Sequence, residues 1–375
     1  MKKYFIIAAS ALVAMCACSK TEVNTIDAPD QEISFQVANY LSQTKAGEVA
    51  FTGDSFGVYA FYDSDATNAT AEQGQTFMAN EKVVPSHPGW QVEGKTYYWP
   101  KSGNIDFFAY APYATSGAWV TYKNSDHTLA GSFTSTTGEE DYLYSSMAMN
   151  YTKNDPKYKV SPTDQDGVMV SDGVPILFHH ALAKLTVKFA TTQLDDKEGE
   201  TDTDYTRWEI TVNTAEFKSV VKKGTLSMTL TTLTAGVQDW PLPTDKIWTP
   251  SAVAADKVAL NAANAQELTL TATTQSGKLA EWTVLPQALS GMIFHINYTI
   301  KAYKNDSTTP YSTETIDEEL PVAGTDGIFK AAGENWEMNK KYTYTVTIAP
   351  STSIMYFDPA VAPWDEASAS HTIEK

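Results

Sequence analysis

Cysteine has the widest covalent chemistry of any side chain here, and both copies, Cys16 and Cys18, stand in the opening stretch "VAMCACSK". Everything after Cys18 is expected to fold without a disulfide or a cysteine-based metal site. His179 and His180 in "FHHALAKL" are adjacent, but no carboxylate or third histidine stands at metal-ligand spacing around them, so a strand end or an interface is their expected place. The acidic run "DDKEGETDTD" (195–204) lacks the ligand alternation and closing glutamate of an EF-hand and reads as a solvated loop. The sequence contains no G-x-S-x-G, H-E-x-x-H, P-loop or dinucleotide fingerprint. A carboxylate pair for glycoside hydrolysis is assembled in space and leaves no linear signature. Nine tryptophans offer sugar-stacking surface, although in a strand-rich chain most are expected in cores. The expectation is a protein without catalytic residues, metal or cofactor.

Cys18 is positioned by an export signal. Lys2 and Lys3 precede an apolar run from Tyr4 to Met15, followed by small residues. That run is shorter than the ~20 apolar residues a membrane span needs. The residue before a cleavage site is small, and Ala17 precedes Cys18 whereas Met15 precedes Cys16. The arrangement resembles the lipobox of bacterial lipoproteins, which implies cleavage after residue 17 and lipidation of Cys18. Each buried methylene contributes ~0.8 kcal/mol, so two or three acyl chains make a stable attachment to the outer membrane. Plain secretion, with Cys18 a bystander, is the alternative.

At 375 residues the length suggests two domains. The formal net charge of −18 becomes −20, 25 basic against 45 acidic residues, once Lys2 and Lys3 leave with the signal. Nucleic acid would be repelled by such a chain. Period-two alternation recurs throughout and helical periodicity is almost absent. In "MIFHINYTIKAY" (292–303), Met292, Phe294, Ile296, Tyr298 and Ile300 alternate with His295, Asn297, Thr299 and Lys301. "KYTYTVTIA" (341–349) does the same with Tyr342, Tyr344, Val346 and Ile348. Such strands, divided by turn residues, predict an all-β chain of antiparallel sandwiches. The charged "TTQLDDKEGETDTDY" (191–205) is the expected division, giving a signal at 1–17, a propeptide at 18–45, and domains at 46–193 and 194–375.

In the propeptide, Ile33, Phe35 and Val37 alternate with polar residues as a short strand with one face for a core. After it, Lys45-Ala46-Gly47 offers a site for a trypsin-like cut between Lys45 and Ala46. Removing the strand would leave unpaired N–H and C=O groups beside an apolar furrow, a template for strand addition.

Four segments carry a family resemblance: "TKAGEVAFTGDSFGVYAFY", "YYWPKSGNIDFFAYAP", "VPILFHHALAKLTVKF" and "WEMNKKYTYTVTIAPSTSIMYFDPAVAPW". In this order the chain resembles the Bacteroides-type fimbrillin family, the FimA/Mfa-like subunits of type V pili. The resemblance implies two transthyretin-like β-sandwich domains and export as a surface lipoprotein. It further implies proteolytic release of the first strand, then donor-strand exchange with other pilin subunits in an adhesive fimbrium. The family's processing residue is commonly arginine; here it is Lys45, and the one arginine, Arg207, falls in a strand-like stretch. The segment "STSIMYFDPAVAPWDEASASHTIEK" either donates a strand or closes its own domain through Ile354, Tyr356 and Val361. Asp306-Ser307-Thr308 resembles a short bacterial O-glycosylation sequon. Other readings are a lipid-retaining anchor subunit, a monomeric glycan-binding lipoprotein and, last, a glycoside hydrolase.

Overall fold

The computed structural model describes residues 31–37, 51, 53–64, 75–86, 89–115, 119–123, 128–134, 141–145, 147–153, 173–176, 178–199, 201–229, 232–234, 246–261, 268–270, 276–329, 333–351 and 354–364. The first strands are β1 (Phe35–Val37), β2 (Phe56–Asp63), β3 (Gln75–Pro85), β4 (Trp90–Val92), β5 (Asn104–Ala111), β6 (Val120–Lys123) and β7 (Thr128–Thr134). Next come β8 (Leu143–Ser145), β9 (Met147–Tyr151), β10 (Val174–Ile176), β11 (Phe178–His180), β12 (Ala183–Thr191) and β13 (Thr206–Val221). They are followed by β14 (Lys223–Thr229), β15 (Thr232–Thr234), β16 (Lys246–Pro250), β17 (Lys257–Asn261), β18 (Leu268–Leu270) and β19 (Ser276–Val284). The last are β20 (Gln287–Ala288), β21 (Ile293–Lys304), β22 (Ser312–Pro321), β23 (Asn335–Trp336), β24 (Lys340–Ala349) and β25 (Ile354–Pro363). The all-β expectation holds, and one 3-10 turn, Ala254–Asp256, interrupts the strands among the described residues. No helix among those residues is long and apolar enough to cross a membrane.

The largest sheet runs β10-β1-β4-β3-β2-β5-β8-β11, with β9 attached to β5 and β15 to β9. Its strand β5 is buried on both faces. Ile105, Phe107 and Ala109 of β5 join one core with Phe56, Val58 and Phe35, while Phe108 and Tyr110 join another. Burial on both sides explains why "NIDFFAYA" is a nearly continuous apolar run rather than an alternating one. A second sheet, β16-β14-β7-β6, supplies Val120, Leu129, Leu226 and Met228 to the second core.

A third and larger core lies between β19-β12-β24-β25 and β17-β13-β21-β22. Phe294, Ile296, Tyr298 and Ile300 from one sheet meet Tyr342, Tyr344, Val346 and Ile348 from the other, as the alternation predicts. Trp336 is almost fully enclosed and donates Nε1–H to the Tyr344 hydroxyl at 2.8 Å. Strand β12 precedes the expected division near residue 193, and its Leu185, Val187 and Phe189 lie in this core. It pairs antiparallel with β19 and parallel with β24. Parallel pairing also occurs at β1–β10 and β9–β15, departing from the antiparallel expectation at those contacts.

Of the two expectations for the C-terminal segment, closure of its own domain is the one seen, but Tyr356 and Val361 are not the residues that enter the core. β25 is an edge strand on β24, and Phe357 stands opposite core residue Val346 while Tyr356 stands opposite Thr347. Met355 and Phe357 therefore pack inward, Tyr356 is 54% exposed and Val361 44% exposed. Proline cannot donate to a ladder, so Pro359 and Pro363 both suit the outer edge and blunt it against further pairing.

The outer face of β13-β21-β22 carries the polar half of the alternation. His295 Nδ1 lies 2.9 Å from Glu216 and its Nε2 lies 2.7 Å from Asp317, while Lys218 bonds Glu319 at 2.6 Å and stands 3.4 Å from Glu216. Burial disfavours the imidazolium, but the bonds to Asp317 and Glu216 outweigh it and Lys218, so the His295 pKa rises above 6.5. Hydrogen bonding to His295 holds Asp317 below its usual value, and Lys218 does the same for Glu319. A raised histidine pKa contributes stability that is complete below the unfolded value and vanishes as pH rises through the folded one. The lowered carboxylates contribute stability that is lost as pH falls through their folded values. The thermal midpoint of the native chain should thus exceed that of His295→Gln most in mildly acidic buffer, with the gap closing above neutrality and in strong acid. A gap that stays constant across that pH series would contradict the assignment.

Candidate functional site: the seat of the first strand

Seven residues, 31–37, are threaded between two separate pieces of the largest sheet. On one side β1 runs parallel to β10, in the register Phe35↔Val174, Gln36↔Pro175 and Val37↔Ile176, and Val174 N–H donates to Ser34 O at 2.8 Å. On the other side Ile33 N–H donates to Tyr97 O at 2.8 Å, Trp99 N–H to Gln31 O at 2.9 Å, and Phe35 pairs with Trp90. Among the described residues the one ladder that ties β10 to the sheet is the one with β1. The strand is an internal member of the sheet despite its early place in the chain.

Alternation decides which side chains enter the core. Ile33 and Phe35 are buried, and Val37 packs against the same cluster. The Phe35 ring meets Phe56 and Phe107 edge-on, with centroids 6.2 and 5.8 Å apart. Phe51, Phe56, Trp90 and Phe178 continue that aromatic floor, Phe51 lying 4.9 Å from Phe178. On the opposite face Gln36 Oε1 is buried with no hydrogen-bond partner among the described residues. An orphaned acceptor costs roughly 1–3 kcal/mol, so this occupant is not optimal for its own seat.

Gly173 lets β10 approach. A Cβ placed there would lie 2.6 Å from the Phe35 carbonyl carbon and 2.8 Å from Gln36 N, both backbone atoms that cannot swing aside. Gly173→Ala should therefore loosen β1 with little effect elsewhere. Faster amide exchange at Phe35 and Val174, with exchange in β21 and β24 unchanged, would show it; uniform exchange in both variants would refute it.

Of the residues singled out from sequence, Ile33, Phe35 and Val37 are brought together at this seat, whereas Cys16, Cys18, Lys45 and Ala46 lie outside the described residues. His179 and His180 end β11. His180 stacks on Trp364 at 3.7 Å and bonds Asp141 at 3.0 Å, fixing the end of β25 where the two halves of the chain meet. The acidic loop spends carboxylates on its own backbone: Asp202 accepts from the N–H groups of Glu198 and Asp204, and Asp196 from Thr206. No group of three or more His, Cys, Asp or Glu side chains arranged for a metal occurs among the described residues. Arg207 lies within β13 between Asp195 and Tyr303, its guanidinium 4.2 Å from the Tyr303 ring centroid and bonded to Ser307 O. Ser307 forms a closed exchange with Thr309 N–H and O in the turn holding Asp306-Ser307-Thr308. Sequence reasoning missed the partners of β1, because residues 90–99 and 173–176 reach it through long-range pairing with no local signature.

A seat of this kind, filled by an N-terminal segment, can be compared with known proteins. The model of a protein family described as fimbrillin-like matches residues 44–364. The chain belongs to that family. This fimbrillin-like chain is similar in fold to a fimbrial protein from Bacteroides vulgatus, with a TM-score of 0.53 at 16% identity over 89% of this chain and 100% of that one. It also aligns with the tip fimbrial protein Mfa3 from Porphyromonas gingivalis in a C-terminally truncated form, at TM-score 0.33 and 12% identity over 90% and 100% of the two chains. A Bacteroides uniformis protein described as a cell adhesion candidate aligns at TM-score 0.45 and 18% identity, over 90% and 98%. No curated protein matches the sequence.

Proposed function

We propose that this chain is a non-enzymatic subunit of a cell-surface fimbrium that supports adhesion. In this reading it is exported as an outer-membrane lipoprotein through Cys18 and assembles with other pilin subunits. The single observation that carries the proposal is the seat of β1: a short N-terminal strand holds an internal position between two ladders and fills an aromatic furrow. Departure of residues 18–45 after a cut between Lys45 and Ala46 would open both ladders at once. A donor strand from another subunit, alternating as Ile33, Phe35 and Val37 do, would restore the hydrogen bonds and the burial. Assembly is then tied to proteolysis, because the uncut strand occupies the seat. The family match starting at residue 44 supports a mature chain that begins close to Ala46.

In domain terms we propose two tandem transthyretin-like β-sandwiches divided near residue 181, earlier than the charged loop, because β12 packs in the core of Phe294 and Tyr344. β14 and β16 then belong with the first half, in the sheet of β7 and β6.

Arg207 bears on the protease. A strand residue paired on both sides is a poor substrate, so an arginine-specific enzyme should leave the folded chain intact while a lysine-accepting one releases the propeptide. The deciding experiment is intact mass and N-terminal sequencing of protein sheared from the native cell surface, set against the detergent-extracted membrane fraction. Sheared protein beginning at Ala46 and running as a ladder in unheated gels is the expected result. Protein that all carries lipid at Cys18 and runs as a monomer would overturn strand exchange and favour the anchor or glycan-binding reading.

A further inference from the structure

A cleft of about 480 Å3 opens beside the β3–β4 hairpin, lined by Glu81, Lys82, Glu93, Tyr113, Ala114 and Thr115. Its two walls are tied together by a closed circuit of hydrogen bonds. Asn80 Nδ2 donates to Ala114 O at 2.9 Å, Ala114 N–H points to the Tyr110 hydroxyl at 3.4 Å, and that hydroxyl donates to Asn80 Oδ1 at 2.6 Å. Asn80 has a φ of 53° in a stretch where the β2–β3 register shifts, a bulge that re-aims the residues after it. Gly57 leaves the space that the Tyr110 ring crosses to reach this circuit, since a Cβ there would lie 2.3 Å from the ring. The circuit thus ties the loop after β5, which carries Tyr113, Ala114 and Thr115, to β3.

The chemistry of the lining selects a ligand class. Lys82 pairs with Glu93 at 3.1 Å and Lys95 with Glu81 at 2.8 Å, so the ionic groups at the cleft already cancel. A bound anion would face Glu81 and Glu93, and a cation would face Lys82 and Lys95. Burial works against the Glu81 carboxylate, but the bonds from Lys95 and Tyr97 lower its pKa, leaving an acceptor-only group at the wall. Tyr113 supplies an aromatic surface, and Thr115 and the Ala114 backbone add neutral polar groups. The volume is within the ~300–1,000 Å3 range of small-molecule sites, yet the lining is more polar than an apolar ligand would want. A neutral, hydroxyl-rich ring with one C–H face meets these features: hydroxyls donate to the exposed Glu93 and accept from Lys82, while Glu81, already bonded by Lys95 and Tyr97, braces the wall, and the C–H face lies against Tyr113.

We infer that this cleft binds neutral saccharide units and is the chain's adhesive contact. The inference rests on the adhesion part of the function proposed above and is independent of strand exchange. The full chain should be applied to an array of neutral and sialylated oligosaccharides, and the best ligand titrated against Tyr113→Ala, Tyr113→Phe and Glu93→Gln. Neutral glycans should be retained, with affinity about tenfold weaker in Tyr113→Ala and Glu93→Gln and preserved in Tyr113→Phe. Glu93 is a well-exposed side chain, so Glu93→Gln carries the test if near-ultraviolet circular dichroism shows that Tyr113→Ala has lost its fold. Binding unchanged in the variants, no neutral glycan retained, or a preference for sialylated ligands would each overturn the assignment. Gel ladders from the same variants separate the two proposals: intact ladders with lost glycan binding bear on the cleft alone, and lost ladders with intact binding on strand exchange alone.

Discussion

A chain starting at Ala46 is expected to melt at lower temperature and lower urea than one that retains residues 31–37, and to recover when a synthetic peptide of residues 30–38 is added. Phe35 is fully enclosed among Phe56 and Phe107, and truncating a buried phenylalanine costs about 3–5 kcal/mol. Phe35→Ala in the uncut chain should approach that value. Removing the whole strand exposes the floor beneath Phe35 and also takes away the ladder that holds β10, so its effect should be at least as large. A ligand that binds only the folded state stabilises in proportion to the logarithm of its concentration, so the melting midpoint should climb with added peptide. The same peptide with Phe35→Asp should do nothing, because a carboxylate cannot enter that furrow unpaired. The comparison must use chains confirmed as monomers by light scattering, since self-association would fill the seat from another copy. Equal stability of the two chains, with no response to peptide, would remove the basis for strand exchange.

Where one face of a strand is buried and the other wet, the sequence was easily read. Met292 to Ile300 and Tyr342 to Ile348 alternate cleanly because their sheets enclose one core and present polar residues outside. The core face of β1 was legible for the same reason, since Ile33 and Phe35 each follow a polar residue. The rest depends on physics that a short window does not hold. β5 packs on both faces, so period two disappears from "NIDFFAYA". β25 carries apolar residues at both parities, Tyr356 beside Met355 and Phe357, and only pairing with β24 decides which of them turns inward. Asn80 and Ser219, at φ of 53° and 67°, mark positions where the register shifts without any break in composition. The saccharide cleft is of this second kind, because Glu81, Glu93 and Tyr113 meet only after the bulge and the Tyr110 circuit are in place.

Long-range pairing also governs how the halves depend on each other, and residues 46–193 expressed alone should not fold cooperatively. β13 and β14 are separated by Lys222 alone, yet β13 pairs with β21 in one half and β14 with β7 in the other. Without β14 and β16, the sheet carrying β6 and β7 loses two of its four strands. Phe108, Tyr110 and Leu129, all fully buried, lose the cover of Leu226 and Met228. A Leu→Ala or Met→Ala change in a core costs about 2–5 kcal/mol, and here two whole side chains leave together with their ladder. At the other end β12 would present Leu185, Val187 and Phe189 without β19 or β24 to cover them. Total stability of a domain is only about 5–15 kcal/mol, so losses on this scale are comparable with all that holds the fragment together. The fragment should bind a hydrophobic dye, show broad amide resonances and lack a sharp transition, while the mature chain unfolds in one step. Leu226→Asp in the full chain should lower that single transition, because the burial of an unpaired charge at the shared sheet is felt on both sides. A sharp, dye-free melt of residues 46–193 would instead show that the first half carries its own complete core and that the returning segment is dispensable.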